Sequence, residues 1–286
     1  MKTVSHIMAI IALFLSVQLS AQTKRALVIG LGKQEDNSWA KINGDKDVPY
    51  VQAMLKKAGY KDFDIITLSN SKATKAGIVN AFDNLTKKCK TGDIIYIHFS
   101  GHGQLVTDLD GDEDDGWDEA WIPYDAYLKF GEHDNGEKHL IDDEIHVLLT
   151  RIKEKIGNDG EMLVVVDACF SGDSTRGEDI EETVRGVFDE FVIPSVPKND
   201  KAKRNKANGK QEQWLTLSAC TDYQLNQEMK NPQVGKLTYA LFSLSENGTV
   251  TWKSVQKFMH RNRSELPQTP VLTPKTKMDN LSIIIK

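Results

Sequence analysis

HFSGHG at residues 98–103 and DACFSG at residues 167–172 are the two stretches that decide the fold. Each follows an apolar run typical of a buried strand, DIIYI before the first and MLVVV before the second. Each then breaks into small, turn-forming residues. Because reactive groups gather at the carboxyl ends of parallel strands, we expect His102 at one strand end to lie near Cys169 at another.

The rest of the chain alternates strands and helices. Apolar runs at residues 25–30 and 63–68 predict strands, and helical spacing over residues 47–58 and 74–85 predicts helices. A helix over residues 143–156 precedes the strand that leads to the cysteine. This order predicts an α/β fold, with helices on both faces of a mostly parallel central sheet.

The C-terminal part continues the pattern beyond the cysteine turn. It predicts a strand at residues 214–219, helices at residues 237–244 and 252–259, and a final strand at residues 281–285. The sheet would then have about six strands, and 286 residues suffice for one domain with a large core.

The first 21 residues have the layout of a secretory signal peptide. A basic start at Met1-Lys2 is followed by an apolar run at residues 7–17 and small residues at positions 19–21. The run is too short for a membrane span. We expect removal of residues 1–21, leaving one secreted or periplasmic domain, residues 22–286, without membrane contact. An uncleaved anchor or a buried N-terminal helix is the alternative.

Charge and cysteine content narrow the partners and the chemistry. The net charge of −5 disfavours nucleic acid as a partner, and we expect a monomer. Three cysteines cannot form a disulfide framework, and the odd count leaves at least one thiol free. Cys169 is the natural candidate, because Cys89 lies among lysines and Cys220 follows another apolar run.

A thiol next to an imidazole is the minimal unit of nucleophilic acyl transfer. His102 would take the proton of Cys169 or lower its pKa, and the backbone N–H groups of Gly103 and Cys169 would hold an oxyanion. The alternative is an inert buried thiol and a structural histidine. A zinc site at His98 and His102 is disfavoured, because no glutamate follows His98.

These residues resemble the caspase-like cysteine peptidases, and within that clan the type I metacaspases. The resemblance implies a caspase-like fold, hydrolysis of peptide or protein substrates, and a dyad of His102 and Cys169 without a third member. It extends over nearly all of residues 22–286 and is carried by residues 100–103, 108–119, 121–125, 141–144, 167–172, 217–224 and 235–238.

The resemblance also implies a preference for Arg or Lys at P1, the residue before the cleaved bond. Asp47 and Asp167 would line the S1 pocket that receives it, with Ser100 as a polar wall, because carboxylates bind a guanidinium in a bidentate manner. The segment around Asp47 is one residue shorter than the family pattern, so Asp45 is the alternative. Asp47 would otherwise be only a carboxylate at a helix N-terminus.

The acidic stretch at residues 108–119 suggests calcium, which prefers oxygen ligands in a flexible loop. It is not an EF-hand, because the required glycine is displaced. Resemblance to calcium-dependent metacaspases implies Asp118, Asp142 and Asp143 as ligands, rather than the run of Asp110, Asp112 and Asp114. Calcium would then be an activator, and the chemistry itself would need no cofactor. The alternative is a solvated loop.

A basic, polar stretch at residues 198–210 separates a large-subunit-like part, residues 22–197, from a small-subunit-like part, residues 211–286. An exposed basic loop in an enzyme that prefers basic P1 residues is a candidate for self-cleavage, and an inert linker is the alternative. The candidate positions are Lys201, Lys203, Arg204 and Lys206.

Together these patterns predict a secreted cysteine endopeptidase that cleaves after Arg or Lys, is activated by calcium and processes itself. Two alternatives remain at this stage. One is a non-catalytic relative that binds peptides through the same groove, and the other is a transpeptidase or other acyl-transfer enzyme of the same clan.

Overall fold

The computed structural model describes residues 22–170, 183–187, 189–194, 213–221, 224–248, 250–263, 266–274 and 281–285. The strands are β1 (Lys24–Gly30), β2 (Ile65–Ser69), β3 (Ile94–Ser100), β4 (Gly103–Thr107), β5 (Trp117–Trp121), β6 (Leu140–Ile141), β7 (Glu161–Asp167), β8 (Leu215–Ser218), β9 (Glu228–Met229), β10 (Val234–Gly235) and β11 (Val271–Thr273). The helices are α1 (Gly44–Lys57), α2 (Lys75–Lys88), α3 (Asp142–Ile156), α4 (Lys236–Glu246), α5 (Trp252–Arg261) and α6 (Ser282–Ile285).

A six-stranded central sheet in the order β11-β8-β7-β3-β1-β2 confirms the predicted α/β architecture. All neighbouring strands are parallel except β11, which runs antiparallel to β8. The register places Ser100 between Gly30 and Asp167, at the carboxyl ends of β1, β3 and β7. The turns that follow β3 and β7 therefore start side by side.

Helices cover both faces of this sheet, which explains why every residue of β3 is buried. Ile94 and Tyr96 pack with α1, α4, α5 and α6, whereas Ile95, Ile97 and Phe99 pack with α2 and α3. A strand buried on both faces is continuously apolar instead of alternating. Among the described residues, no helix has the length and apolar character needed to cross a bilayer.

The prediction of a final strand at residues 281–285 is wrong. Residues 282–285 form α6 instead, and its Ile284 and Ile285 are buried in the same core cluster as α1. A short apolar run is compatible with either structure, so periodicity alone could not decide. The sixth strand is β11 instead, three residues between Pro270 and Pro274 that give too short a pattern to recognise.

One face of β3 carries a directed chain of hydrogen bonds toward α1. The Ser100 hydroxyl donates to Asp47 at 2.7 Å, so it accepts from His98 Nε2 at 2.9 Å. His98 Nδ1 then accepts from the Tyr96 hydroxyl at 2.9 Å. This series of hydrogen bonds needs a neutral His98. Burial lowers the pKa of His98 to about 4, although Asp167 and Asp47 oppose the shift.

We predict an acid-sensitive fold because of His98. In the unfolded chain this residue binds a proton near pH 6.5, but in the fold it does so only near pH 4. The contribution of neutral His98 to the stability of the fold is therefore complete above pH 6.5. As the pH falls toward 4, up to about 3 kcal/mol of stability is lost. The free energy of unfolding, measured with urea, should fall less between pH 7 and pH 5 for His98→Gln than for wild type. Exposed His260→Gln is the control, and an unchanged loss in His98→Gln would contradict the prediction.

Candidate active site

The turns after β3 and β7 touch one another. A Cβ built on Gly103 would lie 2.5 Å from the carbonyl oxygen of Cys169 and 2.6 Å from the ring of Phe170. Real Cβ atoms do not approach so closely, so only glycine permits this contact between the histidine-bearing and cysteine-bearing turns. The structure thus brings together the two stretches that the strand-end argument paired.

His102 is completely buried, and its tautomer follows from one contact. Nε2 lies 2.8 Å from the carbonyl oxygen of Ala40, which can only accept, so Nε2 carries the proton. Nδ1 is then the nitrogen with the lone pair, and it has no hydrogen-bond partner among the described residues. Burial lowers the pKa of His102 to about 4 against the opposing bond to Ala40, so the ring is neutral at pH 7.

A backbone carbonyl and a tryptophan ring orient this histidine. Besides the Ala40 bond, the ring of Trp39 packs against that of His102, with centroids 5.1 Å apart. The contacts that orient this ring therefore come from a backbone carbonyl and an aromatic ring. The role of Ala40 was missed, because a backbone acceptor can lie at any residue type and leaves no signal in the sequence.

Cys169 follows β7 and is 1% exposed. Its Sγ donates to the carbonyl oxygen of Gln224 at 3.0 Å. Gln224 precedes β9, in the part predicted to be small-subunit-like. The thiol therefore lies between the two halves of the chain.

The predicted S1 residues form one buried cluster. Asp47 extends from the first turn of α1 toward Ser100, and Thr238 Oγ1 lies 3.1 Å from Asp47 Oδ2 and 2.6 Å from Asp167 Oδ2. The alternative residue, Asp45, instead accepts from Asn70 at 3.0 Å and is partly exposed. The structure thus places Asp47, and not Asp45, beside Ser100 and Asp167.

The cluster contains a cation that the sequence analysis missed, Arg185. Its guanidinium binds Asp47 through two bonds, 2.6 Å from Nη1 and 3.0 Å from Nη2, and its Nε donates to Glu228 at 2.9 Å. Nη1 also lies 3.3 Å from Asp167 Oδ1. Arg185 and Asp47 are 0% exposed.

One guanidinium thus faces three carboxylates in a dry pocket. Burial favours the neutral acid, but Arg185 and hydrogen bonds from Thr238 and Asn226 hold the pKa of Asp167 below its usual value. Glu228 escaped prediction because it lies in a two-residue strand, and Arg185 because no motif surrounds it.

The acidic loop between β4 and β5 gathers carboxylates, but not in the predicted set. Within the described part of the chain, the acidic groups whose ligand atoms all lie within 4.8 Å are Asp108-Asp112-Asp118 and Asp110-Asp112-Asp143. The trio of Asp118, Asp142 and Asp143 is not one of them. Asp112 links the two groups, although the resemblance implied that this part of the run was not a ligand.

These carboxylates oppose one another's ionisation. Burial and then Asp142 and Asp108 raise the pKa of Asp118 to about 8. Burial and Asp143 raise the pKa of Asp142 to about 6, and its Oδ1 has no hydrogen-bond partner among the described residues. The loop therefore stores repulsion that a cation would relieve.

Two further predictions lie outside the described residues. They are the signal peptide at residues 1–21 and the self-cleavage positions Lys201, Lys203, Arg204 and Lys206.

Known proteins resemble this chain in sequence and in fold. Metacaspase-1B of Aspergillus fumigatus is 34% identical over 166 residues, which cover 54% of this chain and 37% of the relative. Metacaspase-1 of Eremothecium gossypii is 32% identical over 157 residues, covering 52% and 32%. The chain thus spans about a third of the length of these curated relatives.

Solved structures share the fold over most of the chain. A protein from Geobacter sulfurreducens superimposes with a TM-score of 0.64 and 25% identity, covering 90% of this chain and 97% of that one. Caspase-1 of Spodoptera frugiperda superimposes with a TM-score of 0.56 and 11% identity, covering 88% and 86%. The second likeness concerns the fold alone.

The family is shown by a model of the metacaspase, peptidase C14 domain, which matches residues 24–176. This range includes β1 to β7, His102 and Cys169. Because it covers more than half of the chain, we conclude that the chain belongs to the metacaspase family of cysteine peptidases and has its caspase-like fold.

Proposed function

We propose that this protein is a cysteine endopeptidase that cleaves peptide bonds after Arg or Lys. The observation that carries the proposal is the guanidinium of Arg185, held by Asp47 beside Asp167 and Glu228. The pocket already accommodates a basic side chain next to a buried thiol.

The proposed chemistry uses the tautomer that Ala40 imposes on His102. Nδ1 takes the proton of the Cys169 thiol, and the sulfur attacks the carbonyl carbon after the basic residue. His102 then gives this proton to the leaving amine, and water hydrolyses the thioester. We propose the N–H groups of Gly103 and Cys169 as donors to the oxyanion.

The specificity would follow from the charge of the pocket. Three buried carboxylates need a cation, because an unpaired buried charge costs several kcal/mol. Arginine fits best, since its planar fork binds a carboxylate with two parallel bonds. A P1 aspartate would be repelled, and a neutral side chain would leave the carboxylates without a partner.

We also propose that calcium binds the acidic loop and activates the enzyme. The donor set consists of carboxylate oxygens, which suit this cation. The residues that would hold it are those of the two groups that share Asp112, which are Asp108, Asp112 and Asp118, and Asp110, Asp112 and Asp143. Bound calcium would supply the positive charge that offsets the repulsion around Asp118. Export directed by residues 1–21 and a monomeric state are further parts of this proposal.

Loss of either member of the dyad should abolish hydrolysis. We expect Cys169→Ala and His102→Ala to lower kcat for a fluorogenic peptide with Arg at P1 by roughly 10³-fold or more. Cys89→Ala is the matched control, because Cys89 packs against α2 on the sheet face away from the pocket and should retain activity. Full turnover by either dyad variant would refute the mechanism.

Removing the charge of Asp47 should weaken basic specificity. Truncating one partner of a buried charge pair costs about 2–5 kcal/mol, so Asp47→Asn should lower kcat/KM for the Arg substrate by at least roughly thirtyfold. Asp45→Asn is the control, two residues away in the same helical turn but hydrogen-bonded to Asn70. A larger effect of Asp45→Asn would assign the pocket to the other aspartate.

Calcium binding should depend on Asp112, the residue that both acidic groups share. We expect Asp112→Asn to weaken calcium binding by roughly tenfold or more in titration calorimetry, because it removes one charge from both groups. The exposed Asp159→Asn variant controls for net charge. Equal calcium affinity of the two variants would exclude Asp112 as a ligand.

A further inference from the structure

Residues 183–186 lie in the candidate active site in the way a bound substrate segment would. They pair with residues 226–228 through an antiparallel bridge between Val184 and Gln227. Addition of an extended peptide to backbone groups of a protein is a general mode of peptide recognition, in which the main chain supplies affinity and a pocket supplies specificity. The two flanking hydrogen bonds run from Arg185 N to Asn226 O at 2.9 Å and from Glu228 N to Thr183 O at 3.0 Å.

The side chain agrees with the backbone. Arg185 enters the pocket of Asp47, Asp167 and Glu228, as a P1 arginine would. In this alignment Val184 is P2 and exposed Thr183 is P3. Arg185 thus meets both requirements of a substrate residue, because its main chain is paired and its basic side chain is bound.

The following residue brings the peptide bond to the nucleophile. A Cβ built on Gly186 would lie 2.7 Å from the carbonyl oxygen of Cys169 and 3.0 Å from its Cβ. Only glycine allows the chain to pass so near to Cys169. Gly186, and with it the bond from Arg185, therefore lies beside Cys169.

We propose that the bond between Arg185 and Gly186 is the first that this enzyme cleaves, and that Arg185 closes the pocket to other substrates until then. The inference rests on the proposed function, because it assumes a dyad that cleaves after basic residues. The proposed cleavage site is therefore not among the sequence-based candidates at residues 201–206. It lies next to Val184, which pairs with Gln227.

The step balances without any oxidant, metal or other co-reactant except water. The sulfur of Cys169 bonds to the carbonyl carbon of Arg185, the C–N bond to Gly186 breaks, and the thiol proton passes through His102 to the new amine of Gly186. Water then adds hydroxide to the acyl carbon and returns a proton to the sulfur. The products are a carboxylate at Arg185 and an amino terminus at Gly186.

The first experiment maps the products of the purified full chain by intact mass and terminal sequencing. We expect wild type to yield termini at Arg185 and Gly186, Arg185→Lys to yield the same bond more slowly, and Cys169→Ala and Arg185→Gln to keep it intact. A variant with Lys201, Lys203, Arg204 and Lys206 all changed to Gln is the matched control and should still be cut at Arg185.

The second experiment tests whether the chain cuts itself. The Cys169→Ala chain is mixed, in excess, with active wild type. Since Arg185 is 0% exposed, the bond after it should resist the added enzyme and stay intact. Cleavage of that bond by a second molecule would contradict cleavage within one molecule.

The third experiment measures closure of the pocket without catalysis. A fluorescent peptide ending in arginine should bind Cys169→Ala/Arg185→Gln roughly tenfold or more tightly than Cys169→Ala, because a pocket filled by Arg185 is competent only a small fraction of the time. Equal affinities would refute closure. If circular dichroism shows that Arg185→Gln does not fold, the product maps of wild type and Arg185→Lys decide whether the bond after residue 185 is cleaved first.

These outcomes separate the inference from the proposed function. If wild type hydrolyses Arg and Lys peptides but leaves the bond after Arg185 intact, or cuts only at residues 201–206, the inference is wrong and the specificity stands. If wild type stays whole and hydrolyses no basic peptide, the proposed function fails.

Discussion

Complete burial of Asp47 and Asp167 at the carboxyl edge of the sheet is the constraint on which the rest of the site depends. Two buried carboxylates require compensation from every direction. Ser100, Thr238, Asn226 and the N–H of Gly235 all donate to them. These donors come from both sides of the stretch between β7 and β8, so the carboxylates tie the early part of the chain to its late part.

The same constraint gives the pocket its charge. Hydroxyl and amide donors stabilise carboxylates but do not neutralise them, and Glu228 adds a third negative group. A neutral His98 contributes no compensating charge, because burial holds its pKa near 4. Only a cation completes the set, and in this structure Arg185 supplies it. The proposed selection of a basic side chain and the observed occupation by the chain's own arginine therefore follow from one electrostatic requirement.

How much of this follows from the sequence depends on the range of each interaction. The sheet, the contact between the turns that carry His102 and Cys169, and the joint position of Ser100 and Asp167 follow from local patterns. Strand ends on neighbouring parallel strands must lie together. The roles of Arg185 and Ala40 could not be predicted from the sequence. Arg185 acts through pairing with a distant segment, and Ala40 acts through its backbone.

The two acidic clusters show why proximity of carboxylates is not by itself a sign of a metal. Asp47 and Asp167 lie together with His98 as closely as the groups around Asp112 do. Yet Arg185 and the donors around it hold the pKa of Asp167 down, whereas burial and neighbouring acids raise that of Asp118 to about 8. The first cluster already has its cation, Arg185, which a basic substrate would replace in the proposed function. The second would gain most from an added cation. The donors around each cluster are thus the reason why we propose metal binding at one and substrate binding at the other.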